Sequence, residues 1–487
     1  MTATAADNLS AAGNLEHRSR RNLWILIVLA ASSPLVFALG VSTWKTPYPV
    51  SETVAILEDV QHATSAVSYF DPTARSWYRP LYFLTWHGLW RGTGSLDTAL
   101  VVFKAIEVVA PLLLVVLFIW QLGPRSLLEG ASAWCAVAVL IGTPGFRYNL
   151  EVPLLMTLVG MPLALIVWML VTRAPRLWHA PVIALLTLIA IGYKEQGLVI
   201  APVVVIAWWT RAPGATNRLT ASVVAATLAY LTFRFSFREN WPVFEQSVGF
   251  GFQTLEPNQA LVRFGAFPYG MYLYNAISTV SSVLFSEPTS GLFLITRDAT
   301  AGHVEPWEVL YVVSSVALTA TIAWWSYRVI PGLGREGWTP DGRVALGFLA
   351  SLLASGVLSY LYSRDRLGGM AVIFYALASF AAIRHLAEQA SRVEGVTTRR
   401  FAFTASLLAV IALTWHLRAV GTLEWTRRMS ESNYVDWLTQ VPQRQLEFAE
   451  RGVYLGIMSH MTGQGTAPDS VRPSNYPSLI QRSLGPP

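Results

Sequence analysis

Charged residues are scarce in this chain. Only 13% of its 487 residues are Asp, Glu, Lys or Arg, while 53% are hydrophobic. A soluble globular domain has about 25% charged residues. Lysine is limited to three positions, so arginine provides nearly all of the positive charge, and the single cysteine excludes an intramolecular disulfide. The composition excludes an ordinary soluble domain and favours a membrane protein.

Several functional motifs are also missing. There is no His-Glu-x-x-His pattern, and the eight histidines are scattered. The phosphate-binding pattern Gly-x-x-x-x-Gly-Lys-[Ser/Thr] and the dinucleotide glycine fingerprint are absent, and no basic stripe suits nucleic acid. We therefore predict no metal site, no nucleotide cofactor and no nucleic-acid partner. Assistance by a divalent cation stays an open alternative.

The chain does contain repeated apolar runs of about 20 residues, each long enough to cross a hydrocarbon core of roughly 30 Å. The predicted spans are 22–44, 99–121, 131–147, 152–171, 179–193, 197–210, 219–237, 307–329, 343–362, 367–387 and 401–419. Residues 268–295 are also apolar, but Glu287-Pro288 interrupts them, and we predict a re-entrant or surface-lying helix there. The expected fold is an all-α polytopic membrane protein with about 11 transmembrane helices.

Three regions follow from these spans. They are a disordered cytoplasmic N-terminus (1–21), a transmembrane domain (22–419) with a long first extracytoplasmic loop (46–98), and a polar C-terminal tail (420–487). Arg18, Arg20 and Arg21 precede the first span, which places the N-terminus in the cytoplasm by the positive-inside rule. The apolar run is too long for a signal peptide and is expected to stay as an anchor. Eleven crossings put the tail outside, against which Arg418, Arg427 and Arg428 just beyond the last span argue mildly.

The first loop has the densest set of chemically useful side chains. It opens with Glu52, Glu58 and Asp59, close to the end of the first span. A carboxylate at a water–lipid boundary can act as a general base, because it is ionised and partly desolvated. In a helix Glu52 and Asp59, seven residues apart, would share a face. Ordinary solvated acids on a loop helix are the alternative.

The same loop ends on an aromatic and basic stretch. Tyr78 and Arg79 are followed by Pro80-Leu81, just before the next apolar segment. Arginine suits bidentate capture of phosphate, and proline suits the first turn of a helix. An interfacial aromatic belt with a snorkelling arginine explains the composition equally well.

Charged pairs occur at two further places within the apolar segments. Lys104 and Glu107 are three residues apart inside the second span, where ionisable groups normally face the bundle interior. We predict a structural ion pair there rather than a ligand contact. Lys194 and Glu195 lie in a short turn between two short spans, which would hold them at a membrane-face cavity.

Two arginines flank a late turn. Arg364 and Arg366 bracket Asp365 on the side that the predicted topology places outside the cytoplasm. This position runs against the positive-inside bias, and an anionic partner such as a lipid phosphate would explain it.

In their order and spacing, three stretches resemble the GT-C superfamily of membrane glycosyltransferases. The likeness is closest to the polyprenyl-phosphate-sugar-dependent branch that includes the protein O-mannosyltransferases. The three stretches are an acid after the first span followed by Tyr-Arg-Pro-Leu at 78–81, Lys-Glu-Gln-Gly at 194–197, and Ser-Arg-Asp-Arg-Leu at 363–367. The likeness covers mainly residues 22–295.

The resemblance implies a GT-C-like bundle that transfers a sugar, with inversion, from a polyprenyl-phosphate donor to an acceptor glycan, lipid or protein. The implied general base is Glu52, or else Asp59. The implied phosphate ligands are Arg79, Lys194, Arg364 and Arg366, supported by Tyr78, Glu195, Lys104 and Glu107. The active face is implied to be extracytoplasmic. Arginine in place of lysine is typical of GC-rich bacterial genomes, which favours a bacterial inner membrane.

The chain departs from the family pattern in three ways. Family members usually have one or two aspartates at the acid position, whereas this chain has Ser51-Glu52, with Glu58-Asp59 following. The choice of base therefore stays open. The histidine-rich pattern of the second span is absent, and no tetratricopeptide repeats follow the membrane domain.

Two other functions remain possible from the sequence. A lipid-linked glycan flippase or transporter would bind similar lipids without transferring a sugar, but the second half has no repeat of the first-loop pattern, as a transporter with internal repeats would have. An O-antigen polymerase or ligase would normally have its long outer loop late in the chain, whereas here it comes first.

Overall fold

The fold is known from a computed structural model of the whole chain. It describes residues 3–46, 60, 63, 65–71, 78–151, 155–236, 248–250, 253–255, 257–264, 269–285, 298–330, 337–361, 365–392 and 398–447. In these ranges the structure is helical apart from one small hairpin, as the sequence predicts for a helical membrane protein.

The helices of the first half are α1 (Ala3–Lys45), α2 (Pro80–Thr93), α3 (Leu96–Leu122), α4 (Leu127–Gly142), α5 (Pro144–Glu151), α6 (Leu155–Val171), α7 (His179–Tyr193), α8 (Ile200–Trp209) and α9 (Asn217–Ser236). Short 3-10 helices occupy Ala66–Phe70, Glu195–Val199 and Asp365–Gly368. The helices of the second half are α10 (Pro257–Phe264), α11 (Tyr269–Phe285), α12 (Pro306–Val329), α13 (Pro340–Leu358), α14 (Gly369–Arg392) and α15 (Thr398–Glu447).

The hairpin joins strands β1 (Val248–Phe250) and β2 (Gln253–Leu255), which pair antiparallel. In this register Val248 lies opposite Leu255, and Phe250 lies opposite Gln253.

In the described part of the chain, six helices are long and apolar enough to cross a membrane, and each falls on a predicted span. They are Ser19–Lys45, Thr98–Leu122, Pro306–Val329, Pro340–Leu358, Gly369–Ala390 and Ser406–Arg428. Four other predicted spans fall on shorter apolar segments of 10–17 residues, and the span 219–237 falls on α9. A 15-residue helix such as α7 is about 22 Å long, less than the hydrocarbon thickness of roughly 30 Å. The structure therefore confirms a helical membrane protein but does not confirm eleven crossings.

Helix α14 is at the centre of the bundle. Within its apolar segment 83% of the residues are buried, against 28–44% in the other five long helices. Its sequence is apolar on every face over its first half, which is typical of a helix enclosed by other helices. The outer helices instead expose large apolar side chains such as Leu26, Phe37 and Val109, as lipid-facing helices do.

Small residues allow the helices to approach closely. A side-chain carbon at Gly142 of α4 would lie 3.3 Å from the Ala419 nitrogen of α15. One at Gly347 of α13 would lie 3.1 Å from the Trp168 ring of α6. Small residues at such crossings are typical of helix packing in membranes.

Two helices are longer than their predicted spans. Helix α1 begins at Ala3 rather than after residue 21, where we expected disorder to end. Residues 3–21 contain no proline, so nothing in this stretch stops the helix from extending toward the N-terminus. Helix α15 continues to Glu447, so the boundary at residue 420 is not a break in secondary structure.

Hydrogen bonds identify the two ends of the bundle. At one end, Ser42 near the end of α1 donates to the carbonyl of Leu423 in α15, and Lys104 of α3 donates to the carbonyl of Thr46. At the other end, Arg21 donates to the carbonyl of Trp120, and Arg343 donates to the carbonyl of Arg211. We call the first of these the Arg79 end and the second the Arg211 end, each after a residue that lies there.

Helix α11 approaches the bundle from the Arg79 end. Its Asn275 donates to the carbonyl of Tyr360, just after α13, and the carbonyl of Leu284 accepts a bond from Thr319, about midway along α12. Helix α11 is not among the helices long and apolar enough to span a membrane. The predicted re-entrant or surface-lying segment at 268–295 fits these contacts and stays a prediction, since residues 286–297 lie outside the described residues.

Candidate functional site

An ion pair joins two of the predicted site residues. Arg79 directly precedes α2, and Glu195 begins the 3-10 helix after α7, 116 residues later. The Nη2 atom of Arg79 is 3.0 Å from Oε1 of Glu195, and its Nε is 3.3 Å from Oε2. Their side chains are only 10% and 23% exposed. The contact is a bidentate, partly buried pair between the end of the first loop and the short turn.

The turn that presents Glu195 depends on glycine. Helix α7 ends at Tyr193, Lys194 is extended, and the Gly197 amide donates to the carbonyl of Lys194 at 2.9 Å. A side-chain carbon at Gly197 would lie 2.4 Å from the backbone of both Ala190 and Ile191. No other residue type can occupy this position without moving the chain, because real carbon atoms do not approach that closely.

Helix α2 is docked against the end of α7 by close packing. A side-chain carbon at Gly192 would lie 2.8 Å from the Leu81 side chain, and the hydroxyls of Thr85 and Tyr193 are 2.6 Å apart. These contacts fix α2 beside the turn and so fix Arg79 beside Glu195.

A third cation, Arg234, lies near the pair and was not identified from the sequence. It is in the last turn of α9, with its Nη1 atom 3.5 Å from the hydroxyl of Tyr230. Its charge acts on Glu195, on Tyr78 and on Tyr360. The only sequence feature that could have identified Arg234 is its place at the end of a predicted span, four residues after a tyrosine. Such a position is also typical of an arginine that snorkels to the membrane surface. Only the fold shows that Arg234 lies near the turn at Lys194 and Glu195.

Aromatic rings surround this group. The Tyr78 ring is 5.8 Å from that of Tyr230 and 5.9 Å from that of Phe233. Tyr78 is buried, and burial raises the pKa of its hydroxyl even though the Arg234 charge opposes this. Tyr78 is therefore a neutral hydroxyl near neutral pH, next to cationic side chains.

Arg79, Lys194, Glu195 and Arg234 together form what we call the cationic cluster. Three positive charges face one negative charge, so the net formal charge is +2. Lys194 is 2% exposed. Burial alone would raise the pKa of the Glu195 carboxyl, but Arg79 and the two other cations outweigh it and hold that pKa well below its usual range. Glu195 is thus an anion that orients Arg79, and cations outnumber anions among these four side chains.

The stabilisation due to Glu195 is expected to persist into mild acid. Because its folded-state pKa is lowered, the full contribution is present above the unfolded value of about 4.3 and is lost as the pH falls through the folded value. The measurement is thermal unfolding of the wild type and of Glu195→Gln in detergent. The difference in Tm should be constant from about pH 8 to about pH 5 and shrink below about pH 4. A difference that already declines between about pH 7 and pH 5 would contradict the assigned charge state.

Lys104 and Glu107 form a loose buried pair. The Nζ atom of Lys104 is 4.0 Å from Oε2 of Glu107, while it donates to the carbonyl of Thr46 at 2.5 Å. The side chains are 6% and 1% exposed, and the Glu107 oxygens have no hydrogen-bond donor in the described part of the chain. Lys104 therefore ties α3 to the end of α1 more closely than it pairs with Glu107. The structural ion pair predicted from the sequence has the right partners but a long separation.

Several predicted site residues cannot be placed. The candidate bases Glu52 and Asp59 and the candidate phosphate ligand Arg364 lie outside the described residues. Arg366 is in the 3-10 helix Asp365–Gly368, but its side chain is also outside the description. The described chain before this turn ends at Leu361, and the charge of Arg234 acts on the neighbouring Tyr360.

The structure corrects the topological argument drawn from Arg418. This side chain is 1% exposed and lies inside the bundle, where it donates to the Tyr311 carbonyl at 3.0 Å and the Ser315 hydroxyl at 2.7 Å. Its guanidinium lies 4.0 Å from the centre of the Trp415 ring. Arg418 is part of the core rather than of a surface loop, so it does not count in a loop-charge comparison.

Metal ligands are not clustered in the described part of the chain. Within it no group of three or more His, Cys, Asp or Glu side chains could hold a metal ion. The candidate acids of the first loop lie outside the described residues, so assistance by a divalent cation stays an open alternative.

Comparisons with known proteins find no match for this chain. No protein-family model matches the chain, and no curated protein or solved structure matches it either. Its function is therefore argued from its own residues.

Proposed function

We propose that this chain is a membrane glycosyltransferase that uses a polyprenyl-phosphate-linked sugar as donor. The observation that supports the proposal is the cationic cluster, where Arg79, Lys194 and Arg234 converge on one end of a helical membrane bundle. A lipid phosphate is the anion that such an end would meet, since it arrives laterally with its chain in the bilayer. The resemblance to the GT-C superfamily at 78–81 and 194–197 supports the same chemistry, and these two stretches are in contact through Arg79 and Glu195.

The proposed reaction is a single inverting displacement at the extracytoplasmic face. The acceptor oxygen forms a bond to the anomeric carbon of the sugar, and the bond from that carbon to the phosphate oxygen breaks. The electron pair leaves with the lipid phosphate, and the acceptor proton passes to Glu52 or Asp59. Cations fixed beforehand stabilise the developing charge on the phosphate, and they do so most strongly where water is limited. Arg79, Lys194 and Arg234 have that role, with Arg364 or Arg366 added from the late turn.

A lipid-linked glycan flippase is the alternative function. A flippase would also bind the lipid phosphate at such a cluster, but it would leave the sugar–phosphate bond intact. The two functions are therefore distinguished by the fate of that bond, and not by donor binding.

The test is sugar release from labelled polyprenyl-phosphate donors in membranes that contain the chain. We expect a donor that the wild type consumes and that Glu52→Gln does not, since the amide cannot accept the acceptor proton. Equal consumption by both proteins would move the base to Asp59, to be checked with Asp59→Asn. If both variants keep full turnover, neither acid is the base. If no donor is consumed while a labelled lipid-linked glycan changes leaflet, the flippase function replaces the transferase.

A further inference from the structure

A cavity among the described residues lies at the Arg211 end, away from the cationic cluster. It is a groove of about 380 Å³ between the end of α8 and the start of α9, lined by Trp208, Trp209, Arg211, Thr216 and Asn217 among others. None of the lining residues is acidic. Neither the proposed function nor the sequence motifs assign a role to this groove.

The loop that forms the groove is held firmly. The Ala212 amide donates to the carbonyl of Ala207 at 2.8 Å, and the Gly214 amide donates to the carbonyl of Val171 at 3.0 Å. A side-chain carbon at Gly214 would lie 2.4 Å from the carbonyl oxygen of Leu170, so this loop lies directly on the end of α6. Trp208 is fixed as well, because its indole N–H donates to Asn217 at 2.6 Å. The groove is therefore a preformed feature of the bundle.

Positive charge dominates the groove. Arg211 is exposed and has a φ of 52°, which holds it in the left-handed region. Arg343 from α13 donates to the carbonyls of Thr210 and Arg211, both at 3.3 Å. A second guanidinium therefore lies beneath the groove and occupies these carbonyl oxygens. Arginine suits phosphate oxygens, and tryptophan is typical of the headgroup level of a bilayer.

The position of the groove relative to the bundle fits a membrane surface. Helix α9 begins at the groove with Asn217 and reaches the cationic cluster with Arg234. The rise over the 17 residues from Asn217 to Arg234 is about 26 Å along the helix axis. This length is close to the thickness of the hydrocarbon core of a bilayer, roughly 30 Å. The groove and the cluster therefore lie near opposite ends of the bundle.

We propose that this groove binds the phosphate of an anionic membrane phospholipid, with Arg211 as its main ligand and the indole of Trp208 against the glycerol region. Basic pockets between membrane helices are known to hold anionic headgroups. The inference is independent of the proposed function, because it concerns a different site and a lipid of the host membrane rather than a donor.

The test is native mass spectrometry of the full chain, released from a neutral detergent and titrated with dihexanoyl phosphatidylglycerol. Dihexanoyl phosphatidylcholine and glycerol 3-phosphate are titrated in parallel. The variant is Arg211→Asn, since asparagine tolerates the left-handed conformation and keeps the loop in place. The control is Arg176→Asn, which removes an exposed arginine at the same end outside the groove.

We expect saturable binding of phosphatidylglycerol that weakens roughly tenfold or more in Arg211→Asn and is unchanged in Arg176→Asn. Such a loss corresponds to one charge-assisted hydrogen bond. Equal binding of both lipids, or equal loss in both variants, would overturn the proposal. Glycerol 3-phosphate binding as tightly as the lipid would also overturn it, in favour of a site for a soluble phosphate. As a second variant, Trp208→Phe should weaken the binding of phosphatidylglycerol and leave the binding of glycerol 3-phosphate unchanged.

Discussion

Replacing Arg79 with glutamine is expected to reduce donor consumption at least about 100-fold. Preorganised donors that face a developing negative charge typically contribute about that much or more each. Arg79 is held by both carboxylate oxygens of Glu195, so it is aligned before any ligand binds. The measurement is the initial rate of sugar release in membranes with matched amounts of the two proteins.

The same substitution also affects stability, and a second variant separates the two effects. Arg79→Gln leaves Glu195 partly buried without its partner, which costs about 2 kcal/mol. In Arg79→Gln/Glu195→Gln no unpaired charge of the pair remains, and the Tm should recover toward that of the wild type. If Arg79 stabilises the charge on the leaving phosphate, the double variant recovers stability but not turnover. Recovery of turnover together with Tm would show that Arg79 has only a structural role.

A matched control exists at the opposite end of the bundle. Arg384 donates to both carboxylate oxygens of Asp341 at 2.8 Å, and the two side chains are 23% and 25% exposed. Like Arg79–Glu195, this is a partly buried arginine–carboxylate pair, although a single Arg384 nitrogen contacts both oxygens and Glu388 lies 3.6 Å from its Nε. Arg384→Gln should therefore lower the Tm by a comparable amount and leave the rate of sugar release unchanged.

Replacing Gly197 with alanine is expected to disrupt the turn that presents Lys194 and Glu195. The added carbon would lie 2.4 Å from backbone atoms of Ala190 and Ile191, which cannot rotate away as a side chain could. Overpacking against side chains typically costs about 1–3 kcal/mol, and a collision with backbone should cost at least the upper part of that range. The measurement is the Tm in detergent, with size-exclusion profiles to detect loss of the fold.

Two other glycines give graded controls for this prediction. Gly192→Ala meets the Leu81 side chain at 2.8 Å, which can shift, so we expect a smaller loss of Tm. Gly88 is exposed within α2, and nothing lies within 4 Å of an added carbon. Gly88→Ala should be neutral or stabilising by about 0.5–1 kcal/mol, because alanine favours the helix. A Gly197→Ala variant as stable as Gly88→Ala would contradict the close packing of the turn.

The sequence predicted local features well. Apolar runs predicted helices, and Pro80 and Gly197 predicted the start of α2 and the tight turn after α7. The charged groups at Arg79 and at Lys194-Glu195 were predicted at one membrane face, because charge in an apolar chain collects where helices end. The structure brings Arg79 and Glu195 into contact at one end of the bundle.

Other features depended on long-range packing and could not be predicted. The pairing of Arg79 with Glu195 joins residues 116 apart, and nothing in either stretch specifies its partner. Arg418 looked like a loop residue because apolar runs end near it, yet α15 continues beyond it and buries it against α12. The number of crossings was also unpredictable, since hydropathy does not distinguish a short helix inside the bundle from one that spans the bilayer.

The most direct test of the account is the binding of a labelled polyprenyl phosphate to the purified chain. This lipid is the leaving group of the proposed reaction, so the test requires no knowledge of the sugar. We expect saturable binding that weakens about tenfold or more in Lys194→Gln and in Arg234→Gln, and that is unchanged in Arg384→Gln. Equal affinity in all four proteins would show that the cationic cluster does not hold the lipid phosphate, and the proposed function would lose its main support.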